Sequence, residues 1–417
     1  MIKDTFFFKP QFLLPFGVVS PYLFIGLLGV TYFEILCLLY FLALFFSSGK
    51  LKLDSGILVY FVLFFIGTTF AIINGYLNYS IPINPIFIKI LYFYILALSA
   101  FNLGYWNYQD VTSIVSSRVF KLIIVFLCLF IISYPFIDNE LRAATMKFYY
   151  SSNISSDHLK RIYQIRFPGL GVNANLFSFI LLITFLFTFY AWLAKKNSFI
   201  YPLLIFISIA ISGSKTIFIL ACILSLGYLY YSRVSRKNKI RFFISLLVFS
   251  SCLVIFFLFT ETGKELSEKI VIINRLAIMM SPDYDVHGYG SPVAGRFELW
   301  SMGMERVKLA PFFGVAISPI SDDSSTIDFC CPHNEFIAIW TFHGFIGLMA
   351  YAFLIIGFIY KNRKYKEGYL WIGIYLALIV QMTFDAAFQY ARFIPFIFLI
   401  FGLNTRAITE FKIGSNI

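Results

Sequence analysis

Long apolar runs dominate the chain. A helix that spans a bilayer needs about 20 mostly apolar residues, and runs of that kind recur from end to end. The run from Gln11 to Ser47 is too long for one helix and splits near Gly29–Thr31 into two. Further runs cover 56–73, 86–105, 119–137, 172–193, 199–212, 216–231, 242–260, 334–360, 369–386 and 391–405. They are continuous rather than alternating, which predicts helices and not barrel strands. The pattern predicts an all-α polytopic membrane protein of about 12 transmembrane helices, with residues 1–417 forming one integral membrane domain. Ser212-Gly213-Ser214-Lys215 interrupts the apolar stretch from Phe199 to Tyr231. That stretch is too long for one span and short for two. A tight helical hairpin resolves this, with its tip and Lys215 at a membrane surface.

Composition removes the alternatives. Of 417 residues, 60% are hydrophobic and 13% charged, against roughly 45–50% and about 25% in soluble domains. A water-soluble globule and a disordered chain are both excluded. The formal charge of +12 then needs a place. With the N-terminus inside, the inner segments hold 19 of the 33 Lys and Arg but only five of the 21 acids. This is the positive-inside pattern. The excess charge is a topology signal and not a nucleic-acid footprint, and an even number of spans returns the C-terminus inside. The first apolar run lacks a small-residue cleavage site and is expected to stay as an anchor. Cys37, Cys128, Cys222 and Cys252 lie in apolar runs, Cys330 and Cys331 are adjacent, and the four His lack ligand spacing. No metal is expected. Neither a P-loop, GxGxxG, HExxH nor GxSxG occurs, so no nucleotide or other cofactor is expected.

Two outer segments are long, 138–171 and 261–335, and long loops in compact proteins carry function. The second is expected to hold amphipathic helices. Leu266, Ile270, Ile273 and Ala277 recur at helical spacing, as do Phe297, Trp300, Met304 and Val307. These outer loops and the adjoining span ends carry cations on the side that should be poor in them: Arg161, Arg166, Lys215, Arg296 and Arg392. Each alone could snorkel to headgroups, and Asp385 with Arg392 could be an ion pair. Together they suit one anion, and Arg binds phosphate bidentately. His333 could donate to it or act as acid or base. Tyr289, Trp300 and other outer aromatics suit sugar rings, or form an interfacial belt.

Four segments carry a resemblance. Arg166-Phe167-Pro168-Gly169 with Asn173 and Asn175, Ser212-Gly213-Ser214-Lys215, Gly295-Arg296 with Trp300 and Pro311-Phe312-Phe313-Gly314, and Pro332-His333-Asn334-Glu335-Phe336 with Gly344-Phe345-Ile346-Gly347-Leu348 stand in order over residues 160–360. In order, spacing and outer placement they resemble the O-antigen polymerase and O-antigen ligase superfamily. The resemblance implies a GT-C-like, metal-independent membrane glycosyltransferase of the bacterial inner membrane. Its active site would face the periplasm, as would loops 138–171 and 261–335. The donor would be an oligosaccharide on undecaprenyl diphosphate. Carried over, Arg166, Lys215 and Arg296 contact the diphosphate, with Arg161 and Arg392 nearby. His333, Glu335 and Arg296 serve the reacting centre. Trp300, Asn334, Tyr289 and Asn175 face the glycan. Lys215 departs from the usual Arg, keeping the charge without the fork.

The polymerase reading is carried forward, with the growing glycan transferred to a new lipid-linked repeat unit and a chain-length regulator as a further partner. The first alternative is the ligase, which transfers the glycan to lipid A–core. The second is a flippase of lipid-linked sugar. That reading asks for charged residues lining the spans and for paired repeats, whereas Glu34 and Lys89 are the main charges within spans.

Overall fold

The computed structural model describes residues 24–25, 30–46, 51–79, 83–106, 111–134, 174–212, 214–232, 240, 244, 260–261, 294–315, 334–364, 368–384 and 394–414. A two-residue antiparallel pair, β1 (Phe24–Ile25) with β2 (Val30–Thr31), comes first. The helices follow in order: α1 (Tyr32–Phe46), α2 (Ser55–Tyr79), α3 (Ile83–Trp106), α4 (Val111–Ser116), α5 (Arg118–Ser133), α6 (Ala174–Leu193), α7 (Ile200–Ser212), α8 (Lys215–Tyr231), α9 (Ala294–Leu309), α10 (Glu335–Asn362), α11 (Gly368–Phe384) and α12 (Ile394–Gly414).

The runs predicted at 11–29 and 242–260 lie outside the described residues, apart from Phe24–Ile25, Ile244 and Thr260. Where Phe24–Ile25 is described it is strand, not helix. Every other predicted run coincides with a helix. The short α4 falls between the predicted runs 86–105 and 119–137, its six residues being too few to show a period. The amphipathic helix expected at 261–280 lies outside the described residues beyond Glu261. The one expected at 296–310 is α9, but its inward face differs. Gly303, Val307 and Ala310 are buried, while Phe297 is 59% exposed.

The chain divides into two compact units. One holds Met1–Phe8, Phe33–Tyr108 and Asp285–Ile417; the other holds Lys9–Tyr32 and Gln109–Tyr284. In the first, α2 packs along α10 and α3 along α12. Its core is aromatic. Tyr60 meets Tyr351 edge-on at 5.1 Å, Phe61 stacks on Phe398 at 5.6 Å, and Tyr375 stacks on Phe401 at 5.4 Å. Small residues let α3 and α12 approach closely. A Cβ on Gly104 would run into the Leu399 carbonyl, and one on Gly402 into that of Phe101. The outward faces are apolar as well: α2 exposes Leu58, Val62, Phe65 and Ile73, and α10 exposes Met349, Phe353 and Ile356. Such faces fit lipid rather than water. Segments of α2, α6, α10 and α12 are long and apolar enough to cross a bilayer, and shorter apolar helices accompany them. The protein is a multi-pass membrane protein. Threonine hydroxyls inside these helices bond back to their own helix, as where Thr68 donates to the Phe64 carbonyl and Thr405 to that of Phe401.

Charges gather at one end of this unit. Lys361 pairs with Asp54 at 2.6 Å, Lys52 and Arg406 both lie over the Tyr105 ring, and Arg363 lies over Tyr360. Just inside this end, Asn362 and Asn404 exchange reciprocal amide hydrogen bonds of 2.8 and 2.9 Å, and the Tyr375 hydroxyl donates to Asn404 Oδ1 at 2.8 Å. All three side chains are buried. Replacing Asn404 with Leu removes these three buried hydrogen bonds, and should cost roughly 1–3 kcal/mol. Thermal unfolding in nanodiscs checks this. The Asn362→Leu, Asn404→Leu double variant should lose less than the sum of the single changes.

In the second unit α6 is enclosed by α4, α7 and α8. The α7 and α8 helices flank the expected break at residues 213–214, and Ser214 is extended (φ −83°, ψ 102°). The hydroxyls of Ser178 and Ser212 meet at 2.6 Å, tying the end of α7 to α6.

Candidate functional site

Helix α10 starts at Glu335 behind Asn334, and it is not straight. Asn334 caps it, its side-chain oxygen accepting from the Ile337 N–H at 3.1 Å. Ten residues on, Gly344 takes φ 66° and ψ −172°, a region essentially open only to glycine. An unbroken helix would separate Ile339 from Gly347 by about 12 Å. Here a Cβ on Gly347 would lie 3.7 Å from Ile339 Cγ2. The piece before Gly344 is therefore folded back against the piece after it.

A strap over residues 311–315 makes the break possible. Phe345 N–H donates to the carbonyls of Pro311 and Phe312 at 3.1 Å each, and Val315 N–H to that of Thr341 at 2.8 Å. Trp340 Nε1 donates to the Pro311 carbonyl at 2.8 Å, and Asn74 Nδ2 on α2 to that of Gly314 at 2.7 Å. Backbone groups freed by the break thus regain partners, which membrane-depth backbone requires. The strap and the break touch through Gly314 and Gly344, and a Cβ on Gly344 would collide with the Phe312 carbonyl oxygen. Behind them His343 packs on Phe64, ring centroids 4.4 Å apart, and its Nδ1 lies 3.1 Å from Thr68 Oγ1. Thr68 has one hydroxyl hydrogen, given to Phe64, so the imidazole donates from Nδ1 and keeps an acceptor at Nε2.

The fold-back relocates the acid. A straight tenth span over 334–360 would set Glu335 at the helix's outer end. Instead Glu335 is 1% exposed and close enough to Tyr60 and Tyr351 to act on both electrostatically. It sits in the first turn of α10, where the helix dipole favours an anion. The buried Asn334 spends its side-chain oxygen on the cap. His333, Tyr289 and Arg392 lie outside the described residues. Arg296 stands in the first turn of α9, and its side chain is not among those described. Trp300, one turn further, meets Phe297 edge-on at 5.3 Å and Phe384 of α11 at 6.2 Å.

In the other unit, Arg161 and Arg166 lie outside the described residues. Asn175 is half-buried in the first turn of α6. Lys215 precedes the apolar run 216–231 and opens α8 half-buried, and burial lowers its pKa from the ordinary lysine value. A cation in the first turn also opposes the helix dipole. An anion bound at the same terminus would relieve both effects.

Residues 200–352 match the family model described as O-Antigen ligase (Wzy_C). The match supports the resemblance to the O-antigen polymerase and ligase superfamily. Members of that family are glycosyltransferase-like enzymes acting on lipid-linked glycans in a membrane. No curated protein matches the chain. The matched O-antigen ligase domain takes in Lys215, Tyr289, Arg296, Trp300, His333, Asn334 and Glu335, and leaves Arg161, Arg166, Asn175 and Arg392 outside. It also includes the strap and the Gly344 break. The expected motifs Pro311–Gly314 and Gly344–Leu348 thereby acquire a physical reason, since each supplies one side of that contact. Sequence reasoning passed over His343, Thr68 and Asn74, which brace the break; lone polar residues in apolar runs gave no spacing to follow.

Proposed function

We propose that this protein polymerises undecaprenyl-diphosphate-linked oligosaccharide repeat units into O-antigen or a similar surface polysaccharide at the periplasmic face of the bacterial inner membrane. In this reading it has twelve spans and cytoplasmic termini, and needs no metal. The observation that carries it is the buried Glu335 behind the Asn334 cap, in a helix folded back inside the matched O-antigen ligase domain. The cation-rich end of the first unit, with Lys52, Lys361 and Arg406, supports the inside orientation.

In the reaction an acceptor hydroxyl attacks the anomeric carbon of the donor glycan. Its proton passes to His333, with Glu335 orienting that base or replacing it. The new glycosidic C–O bond forms as the bond from the anomeric carbon to the phosphate oxygen breaks. Undecaprenyl diphosphate leaves with the electron pair. Arg296, Lys215 and Arg166 would meet the charge developing on it, with Arg161 and Arg392 as further cations. The lipid diphosphate is already activated, so no nucleotide is consumed. Asn334, Trp300, Tyr289 and Asn175 would hold the sugars.

The family description, O-Antigen ligase, favours a second reading, in which lipid A–core is the acceptor. Purified protein given lipid-linked repeat units alone separates the two. Polymerase activity yields a ladder of chain lengths, and a chain-length regulator then changes its distribution. A reaction that starts only when lipid A–core is added establishes the ligase, and no transfer under either condition rejects both.

A further inference from the structure

We infer that Gln381 and Trp300 form a donor subsite for the oxygen atoms of the glycan; this rests on the lipid-linked glycan reading above. Gln381 lies on α11, three residues before its last residue Phe384, and is 2% exposed. Its Nε2 is buried and, among the described residues, has no hydrogen-bond partner. The same holds for Trp300 Nε1. The two are neighbours. Trp300 packs on Phe384, and residues three apart on a helix share a face with Cβ atoms about 5–6 Å apart. Five residues join α10 to α11 and the two helices pack together, so they run antiparallel. Gln381, close to the end of α11, therefore lies at the depth of the early turns after Gly344, the region to which the fold-back brings Glu335.

Two buried donors without acceptors, at one level of a membrane protein, are costly if nothing binds there, about 1–3 kcal/mol each. Buried polar groups without partners are uncommon. What they fit is a group that offers lone pairs and no charge requirement: hydroxyl and ring oxygens of a sugar. A cation is excluded by the donors, and a phosphate would call for Lys or Arg. The geometry also revises how Trp300 serves. Its ring is flanked by Phe297 and Phe384, so it offers the indole N–H rather than a face for stacking.

The test uses full-length protein in nanodiscs with two probes, undecaprenyl-diphosphate-linked repeat units and glycan-free undecaprenyl diphosphate. Gln381→Leu and Trp300→Phe each remove one donor and keep the bulk. Each should weaken the glycan-bearing probe at least tenfold and leave the glycan-free probe unchanged. Gln381→Leu should also raise the unfolding temperature, because an unsatisfied amide leaves an apolar site; a structural hydrogen bond would give the opposite sign. Wild-type glycan affinity in either folded variant overturns the subsite, and so does a Gln381→Leu protein that fails to insert. If wild-type protein itself does not distinguish the two probes, the glycan-transfer reading fails first.

Discussion

Replacing Gly344 with Ala should unfold the strapped helix and abolish activity, whereas Gly357→Ala on the same helix should do neither. Two costs coincide at Gly344. Its φ of 66° with ψ −172° is a strained region for any residue with a Cβ, worth roughly 1–3 kcal/mol. The added Cβ would also strike the Phe312 carbonyl oxygen, with the Phe313 carbonyl carbon and Gly314 nitrogen directly behind. That neighbour is backbone, held by Phe345 N–H and followed by the Val315–Thr341 bond, so it cannot rotate away. Relief requires the strap to lift, which forfeits those bonds and the Trp340 bond to Pro311, each worth about 1 kcal/mol net. A loss of more than about 3 kcal/mol is expected. Gly357 meets nothing within 4 Å, so a methyl there is free and helix propensity favours it. Thermal unfolding of the two variants side by side decides the matter. Equal midpoints would show that residues 311–315 do not clasp the break.

That break is also where sequence reading stopped. Spans were legible because apolar length is a local signal. The α7–α8 hairpin was legible too, since Ser212-Gly213-Ser214-Lys215 is a polar interruption inside a run of known length. Residues 334–360 carry no such interruption. Gly344-Phe345-Ile346-Gly347 is compatible with a straight membrane helix, and what bends it is a strap some thirty residues earlier together with Asn74 and Thr68 from α2. No periodicity within the run encodes contacts of that range. The same limit explains Phe297. The three-and-four spacing put it with Trp300, Met304 and Val307, but in a membrane protein an apolar residue is equally at home facing outward, so the pattern finds the helix and not its inward face.

For the candidate site, sidedness of charge was informative because Lys and Arg have a default side. Arg296 and Lys215 stood out for that reason, and both fall in the matched O-antigen ligase domain. Gln381 carries no charge, has no default side, and is a single amide in the apolar run from Tyr369 to Phe384. Only the orphaned amide in the folded unit marks it.

Arg296→Ala should leave the protein folded and inserted yet lower glycan transfer by about 10²–10³-fold, the loss typical when one preorganised donor to a developing anion is removed. The site lies in the first turn of α9, where a cation opposes the helix dipole, so alanine removes an electrostatic penalty and the helix should survive. The charge that departs with undecaprenyl diphosphate is spread over several oxygens. A guanidinium meets two of them at once, and an ammonium meets them as a point charge. Arg296→Lys should therefore fall between wild type and Arg296→Ala. Lys215→Arg should retain or raise turnover, because it adds a fork at a position that already has the charge. Single-turnover transfer with purified lipid-linked repeat units measures all three on one scale. Arg296→Ala protein that still extends chains at the wild-type rate would remove Arg296 from the diphosphate site. Activity in Arg296→Lys equal to that of Arg296→Ala would make the fork, rather than the charge, the essential feature.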